Sequence, residues 1–246
     1  MDKLIYLAMT GAKHLLMRQD TLANNLANAN TSGFRSQTIA FRSVPVLGEG
    51  SPTRAFAVES TPRADFAPGP IQQTGRDLDI AVSGRGWIAV QGLDGTEGYT
   101  RAGSLRVDAS GMLQTADGLP VLGDGGPIVV PQDHRVTIAP DGTVTATPIQ
   151  PPLRAATPVG RIKLVNPPEE ALQRGADGLF RPAEGPAPLD EAVRLIPGAI
   201  EGSNVNVAEA MIGIIATARQ FELQMKMLQN ADTNARSASQ ILSANG

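Results

Sequence analysis

Few side chains in this sequence have the types and spacing that support chemistry. His14 and His134 are the only histidines and lie too far apart in sequence for local metal-ligand spacing, so no metal ion is expected. Asp77 and Asp79 stand two apart in an apolar run read as a strand. That spacing puts both on one side and superficially resembles a carboxylate pair, but nothing sets an acid with a raised pKa against them, and solvation at a strand edge is the reading adopted. Gly84-Arg85-Gly86 lacks the third glycine and following helix of a dinucleotide loop and reads as a tight turn or bulge before Trp87. Trp87, the single tryptophan, is expected in a β core. Asn30-Thr31-Ser32 has the form of a glycosylation acceptor, a triplet common by chance. No catalytic residue, cofactor or metal site is expected, and the chain is read as a non-enzyme.

Composition narrows the classes further. The 246 residues carry a net charge of -3 from interspersed acids and bases, with no like-charge run that would mark a nucleic-acid or membrane surface. Seventeen of the 21 basic residues are Arg, a bias that either a GC-rich genome or bidentate pairing at interfaces produces. Cysteine is absent, which excludes disulfides and thiolate sites and leaves the compartment open. Asp2, Lys3, Lys13 and His14 interrupt the apolar tint of the first residues, so neither a signal peptide nor a membrane span is expected.

The elements that would position these residues fall into a helix, connector, β domain, connector, helix order. Residues 1–30 are read as a helix whose seam runs through Leu4, Ala8, Gly11, Leu15, Leu22 and Ala29, broken at Arg18 and Asn25. Residues 207–246 hold a sharper repeat: Val207, Met211, Ile214, Ala218, Phe221, Met225, Leu228, Asp232, Ala235, Ser239 and Leu242. Between them, 71–196 is dense in Gly and Pro, with short apolar runs at 78–82, 87–90, 128–130, 136–139 and 159–165 read as strands. Asp-Gly pairs at Asp94, Asp117, Asp124, Asp141 and Asp177 predict type I′ hairpin turns, hence an antiparallel meander. Residues 31–70 and 197–206 are extended connectors, and Gln150-Pro151-Pro152 marks a loop. The expected fold class is α+β: long N- and C-terminal helices forming a coiled-coil-like domain, with a central antiparallel β-rich outer domain.

A narrow apolar seam must be covered, because each exposed large apolar side chain forgoes roughly 1.5–3 kcal/mol of burial. Pairing the two end helices within one chain leaves flanking residues such as Ile215 and Met227 partly uncovered, and neighbouring copies would complete the burial.

Several motifs then point to a family. Asn24-Asn25-Leu26-Ala27-Asn28-Ala29-Asn30-Thr31-Ser32-Gly33-Phe34 closely resembles the signature of flagellar basal-body rod proteins, shared with hook and hook-associated proteins. Physically, its asparagines and Gly33 end a helix, and Phe34 can anchor the exiting chain. Glu201-Gly202-Ser203-Asn204-Val205-Asn206-Val207, followed by Met211, Ala218-Arg219, Phe221-Glu222 and Met225-Lys226, is similar to the C-terminal motif of that family. Ser203, Asn204 and Asn206 are also N-cap candidates. The runs 77–82, 84–90 and 97–104 resemble the family's shared core, while Thr61-Pro62, 159–165 and 174–180 fit a proximal-rod member best.

The resemblance implies a structural subunit of the basal-body rod in the periplasmic space, part of the drive shaft that transmits torque. It would be exported unfolded by the type III apparatus without cleavage. Implied partners are other copies of itself, other flagellar rod proteins and that export apparatus, with no nucleic acid and no direct membrane insertion. The expected assembly interface comprises Leu4, Leu15, Leu22, Leu26, Asn28, Phe34, Asn204, Asn206, Ile214, Phe221, Met225 and Leu228. A distal-rod or hook-type subunit is the alternative within the family. A secreted β-rich module that binds cell-wall polymer is the alternative outside it.

Overall fold

A computed structural model describes residues 2–45, 55–59, 63–149 and 155–244. Thr61-Pro62 and Gln150-Pro151-Pro152 lie outside the described residues. The chain divides into two compact units, one of residues 1–29, 36–65 and 205–246, the other of residues 30–35 and 66–204.

In the first unit, helix α1 (Asp2–Ala27) packs against helix α2 (Val207–Ala244). Two glycines fix the direction of the pair. A Cβ on Gly11 would lie 2.9 Å from the Gln224 amide, and one on Gly213 would lie 3.0 Å from Leu22 Cδ1. Advancing along α1 from Gly11 to Leu22 therefore retreats along α2 from Gln224 to Gly213, so the helices are antiparallel. The same unit holds two short antiparallel pairings, Gln37–Thr38 with Arg63–Ala64 and Phe41–Pro45 with Ala55–Glu59.

The expected coiled-coil-like domain is not what forms. Among the described residues there are only two α-helices, one toward each end, around a central antiparallel β-rich region. The reason lies in α2. Its covered line runs through Ala210, Ile214, Thr217, Phe221, Gln224 and Leu228, whereas Val207, Met211 and Met225 of the expected seam are exposed. Half of the covered positions are thus small or polar, and Gly11 and Gly213 admit close approach instead of interlocking large knobs. Thr217 is buried because its hydroxyl donates back to the Gly213 carbonyl at 2.8 Å.

The second unit is built from antiparallel ladders. Its largest sheet has the order Leu164–Val165, Trp87–Gln91, Glu97–Thr100, Phe180–Pro182, Leu172–Arg174. A three-stranded sheet places Thr143–Pro148 between His134–Ile138 and Thr157–Arg161. Ile80, Val82, Ile88, Val90, Leu113, Val121 and Ile162 lie in one continuous apolar core.

The Asp-Gly turns form, but not as type I′. That type requires positive φ at both central residues, and Asp133 is the only non-glycine residue with positive φ among the described residues. At Asp141-Gly142, Gly142 N donates to Ala139 O at 2.9 Å and Ala139 N donates to Thr143 O at 2.9 Å. This is the three-residue loop in which a type I turn is followed by a left-handed glycine. The same pair of bonds recurs around Gly95, Gly118 and Gly178. The aspartate keeps negative φ and accepts from the chain ahead: Asp141 Oδ1 accepts the Thr143 N–H at 3.0 Å. At Asp124-Gly125 the positive φ falls on Gly126 instead.

Candidate assembly surfaces

The second unit is closed by a buried ionic clasp that draws on three distant stretches of sequence. Gly33 has φ of 70°, and a Cβ there would lie 2.2 Å from the Arg101 carbonyl carbon. Only glycine accommodates both demands. Gly33 N then donates to Glu201 O at 2.8 Å, and Ser32 Oγ donates to the same oxygen at 3.1 Å. Two residues on, the fully buried Arg35 turns inward, and its Nη2 lies 2.8 Å from Glu201 Oε1.

Arg101 completes the pair of cations, with Nη1 2.9 Å from Glu201 Oε2. The Gly69 N–H donates to Glu201 Oε1 at 2.9 Å, and Arg101 Nη2 donates to Gly84 O at 2.8 Å. Burial, the larger effect, lowers the Arg101 pKa, while the Glu201 charge opposes that shift. The guanidinium carbons of Arg101 and Arg35 lie 5.3 Å and 6.0 Å from the Trp87 ring centroid. Trp87 itself packs against Phe180 at 4.8 Å and edge-on to Phe66 at 5.9 Å. The indole therefore fills space and faces the buried positive charge with its π surface.

Asp77 and Asp79 precede the strand Ile80–Ser83 and do not form a solvated pair on its edge. Asp79 is buried and accepts from the Thr74 hydroxyl at 2.7 Å, while Asp77 pairs with Arg135 at 2.6 Å. Each carboxylate has its own partner, so no shared proton is set up between them.

The expected assembly residues fall into three groups. Leu4 lies in α1, but its side chain is outside the described set. Leu15, Leu22, Leu26, Ile214, Phe221 and Leu228 are half-buried on the helices, and Met225 is exposed. Asn28 donates from its side chain to Asn24 O at 2.9 Å at the end of α1, and Asn206 Oδ1 accepts the Glu209 N–H at 3.2 Å as a cap for α2. Phe34 and Asn204 belong to the second unit: Phe34 is buried beneath the Arg174 guanidinium at 4.5 Å, and Asn204 Nδ2 donates to Ala67 O at 3.0 Å.

Arg101 and Glu201 stand inside family-like motifs, but no spacing in the sequence pairs them or singles out Arg35. By periodicity Asn25 is a break in the helix seam. Asn25 is in fact buried, its amide donating to Gln37 O and its carbonyl accepting from Gln37 N, both at 2.8 Å. A polar side chain that recurs on an apolar seam was the available signal.

Opposite the covered line, α2 presents a second apolar face: Met211, Ile212, Ile215, Leu223 and Met227 are each at least half exposed. Arg219, Glu222 and Lys226 are exposed among them, so this face is mixed, and its share of exposed large apolar side chains marks an interaction surface.

Residues 5–35 match the family described as flagella basal body rod protein, 81–146 the flagellar hook protein FlgE/F/G D1 domain, and 196–241 the flagellar basal body rod FlgEFG protein C-terminal family. The chain is 48% identical to the flagellar basal-body rod protein FlgF of Escherichia coli, over 99% of both chains. The chain belongs to the flagellar basal-body rod protein family. The rod protein is also 33% identical to the FlgF protein of Caulobacter vibrioides, over 97% of each chain. Against the FlgG rod protein of Agrobacterium fabrum it is 30% identical over 93% of its own length. It is a structural subunit of the proximal rod of the flagellar basal body and assembles with other flagellar rod proteins.

Proposed function

We propose that the rod protein enters the rod through its two terminal helices, packing against copies of itself and against other rod proteins to build the shaft that transmits torque. The observation that carries this reading is the exposed apolar face of α2, where Ile212 is 68% and Leu223 60% exposed. Burying a side chain of that size contributes roughly 1.5–3 kcal/mol, so a few such residues per subunit suffice to drive association. The half-buried Leu15, Leu22, Leu26, Ile214, Phe221 and Leu228 would hold the helix pair that presents this face, and Met225 would meet the neighbour directly. Asn28 and Asn206 would set the helix ends. Delivery by the type III export apparatus and a role without catalysis belong to the same reading.

Replacing Ile212 and Leu223 together by Asp should leave the β-rich unit folded and abolish incorporation into basal bodies and swimming. Normal incorporation of that double variant would rule the face out.

A further inference from the structure

Two clefts on the β-rich unit carry opposite charge. The first, about 490 Å3, has Arg76, Arg106, Arg135 and His134 around a floor that includes Leu78 and Val136. Its guanidinia are posed but not covered. Asp77, which also lines the cleft, holds Arg135 by Nη2 at 2.6 Å and Nε at 2.7 Å, and Arg76 pairs with Asp79 at 3.3 Å while its Nη2 donates to Leu105 O at 2.9 Å, which among the described residues leaves Arg106 as the unpaired cation. The side chains of Arg76 and Arg135 nonetheless remain 55% and 69% exposed. Arg106 is exposed and has no ion pair among the described residues.

The second cleft, about 550 Å3, has Glu184, Asp190 and Glu191 beside a wall that includes Pro167, Pro186 and Pro188. Prolines fix φ and stiffen the loop that presents these acids. Glu191 is 80% exposed and reaches Arg161 only at 3.8 Å, while the exposed Glu184 has no ion pair among the described residues. His134–Ile138, which contributes to the first cleft, and Thr157–Arg161, whose Arg161 faces Glu191 of the second, are the two outer strands of one sheet.

We propose that the basic cleft of one subunit receives the acidic, proline-stiffened loop 184–191 of a second copy, head to tail. This deepens the reading that the rod protein packs against copies of itself. Guanidinium and carboxylate pair bidentately, giving direction as well as attraction. A net charge of -3 makes the unguided approach of two copies repulsive, so a local complement is what selects the docking face. Because donor and acceptor patches differ, the contact is heterologous and repeats without closing, as an elongated assembly requires.

The test uses the full chain carrying Ile212→Asp and Leu223→Asp, so that the α2 face does not contribute. In that background a cleft variant (Arg106→Gln, Arg135→Gln) and a loop variant (Glu184→Gln, Glu191→Gln) are compared by sedimentation over a concentration series. Each alone should self-associate at least tenfold more weakly than the parent. An equimolar mixture should regain one junction, formed by the intact cleft of the loop variant and the intact loop of the cleft variant, and stop at dimers. Raising the salt should weaken that dimer. Arg106→Glu alone, which disturbs no ion pair, should weaken association in the same direction with unchanged circular dichroism. Parental self-association by the cleft variant, or a folded mixture that stays monomeric, overturns the proposal, as does a cleft that binds inorganic phosphate but no second copy. None of these outcomes bears on whether Ile212→Asp with Leu223→Asp blocks incorporation, so the two readings fail separately.

Discussion

At Glu201 one carboxylate serves two guanidinia with all three side chains withdrawn from water. The group as a whole keeps one positive charge, which the Trp87 π face and the Ala67 and Gly84 carbonyls help to stabilise. Removing one member of a buried charged network typically costs about 3–5 kcal/mol, because the remaining charges stay desolvated and uncompensated. Glu201→Gln should therefore destabilise the β-rich unit by that amount, read as a lower midpoint in a denaturant melt followed through Trp87 fluorescence. A loss below about 1 kcal/mol would mean that water reaches the clasp. The exposed turn aspartates behave differently. A hydrogen bond from the Ser110 hydroxyl first of all holds Asp108 below the usual carboxylate range, the Thr96 hydroxyl does so for Asp94, and the Thr143 N–H for Asp141. A depressed folded-state pKa contributes stability above the unfolded value of about 3.9 and loses it as pH falls through the folded value. Stability should thus be flat from neutrality to about pH 4 and fall below it, and Asp141→Asn should shrink that fall. An unchanged acid limb in Asp141→Asn would remove the turn carboxylate from the account. The turns were legible because Asp-Gly is a local signal. Their type was not, since the dipeptide alone does not fix the sign of φ at the aspartate. The clasp joins residues 35, 101 and 201, and no sequence period connects them.

At the scale of elements, a heptad reading of α2 finds Ile214, Phe221 and Leu228 on the covered line but takes the wrong neighbours for the alternate positions. Met211 and Met225 are more apolar than Thr217 and Gln224, so the repeat favours them; the fold instead buries the smaller or hydrogen-bonding residues and leaves the methionines outward. Hydrophobicity ranks faces, but a helix that must be covered on two sides carries two apolar faces. Sequence alone does not say which is covered within the chain. The glycines on the inner line offer a test. Gly11 faces only the far end of a flexible side chain, Gln224, so Gly11→Ala should be tolerated and could raise helix stability by about 0.5–1 kcal/mol. Gly213 faces Leu22, with its Cδ1 3.0 Å from where a Cβ would stand, so Gly213→Val should overpack the pair and cost about 1–3 kcal/mol. Thermal melts monitored by helical circular dichroism would separate the two, and equal behaviour would contradict the antiparallel register. The hairpin Phe41–Pro45 with Ala55–Glu59 was invisible for a related reason: its runs are short, lie among Gly and Pro, and lack a clean alternation.

On the scale of the whole molecule, the division into units does not follow the chain order. Residues 30–35 are contiguous with α1 in sequence, yet they belong to the β-rich unit, where Gly33 and Arg35 bind Glu201. The strand Ala199–Glu201, late in the chain, pairs with Ile71–Gln73 at the start of that unit. A cut at residue 66, where the β-rich part resumes, would therefore leave Glu201 with Arg101 alone and remove Phe34 from beneath Arg174. A fragment spanning 30–204 keeps all three members of the clasp. It should fold on its own, with Trp87 emission as blue-shifted as in the full chain and a single cooperative melt. A fragment spanning 66–204 should melt at lower temperature, and adding a peptide of residues 30–36 should raise its midpoint in a concentration-dependent way, because a ligand that binds only the native state stabilises by mass action. If the two fragments melt alike, residues 30–35 contribute no stability to the β-rich unit, and the clasp reduces to the single pair of Arg101 with Glu201.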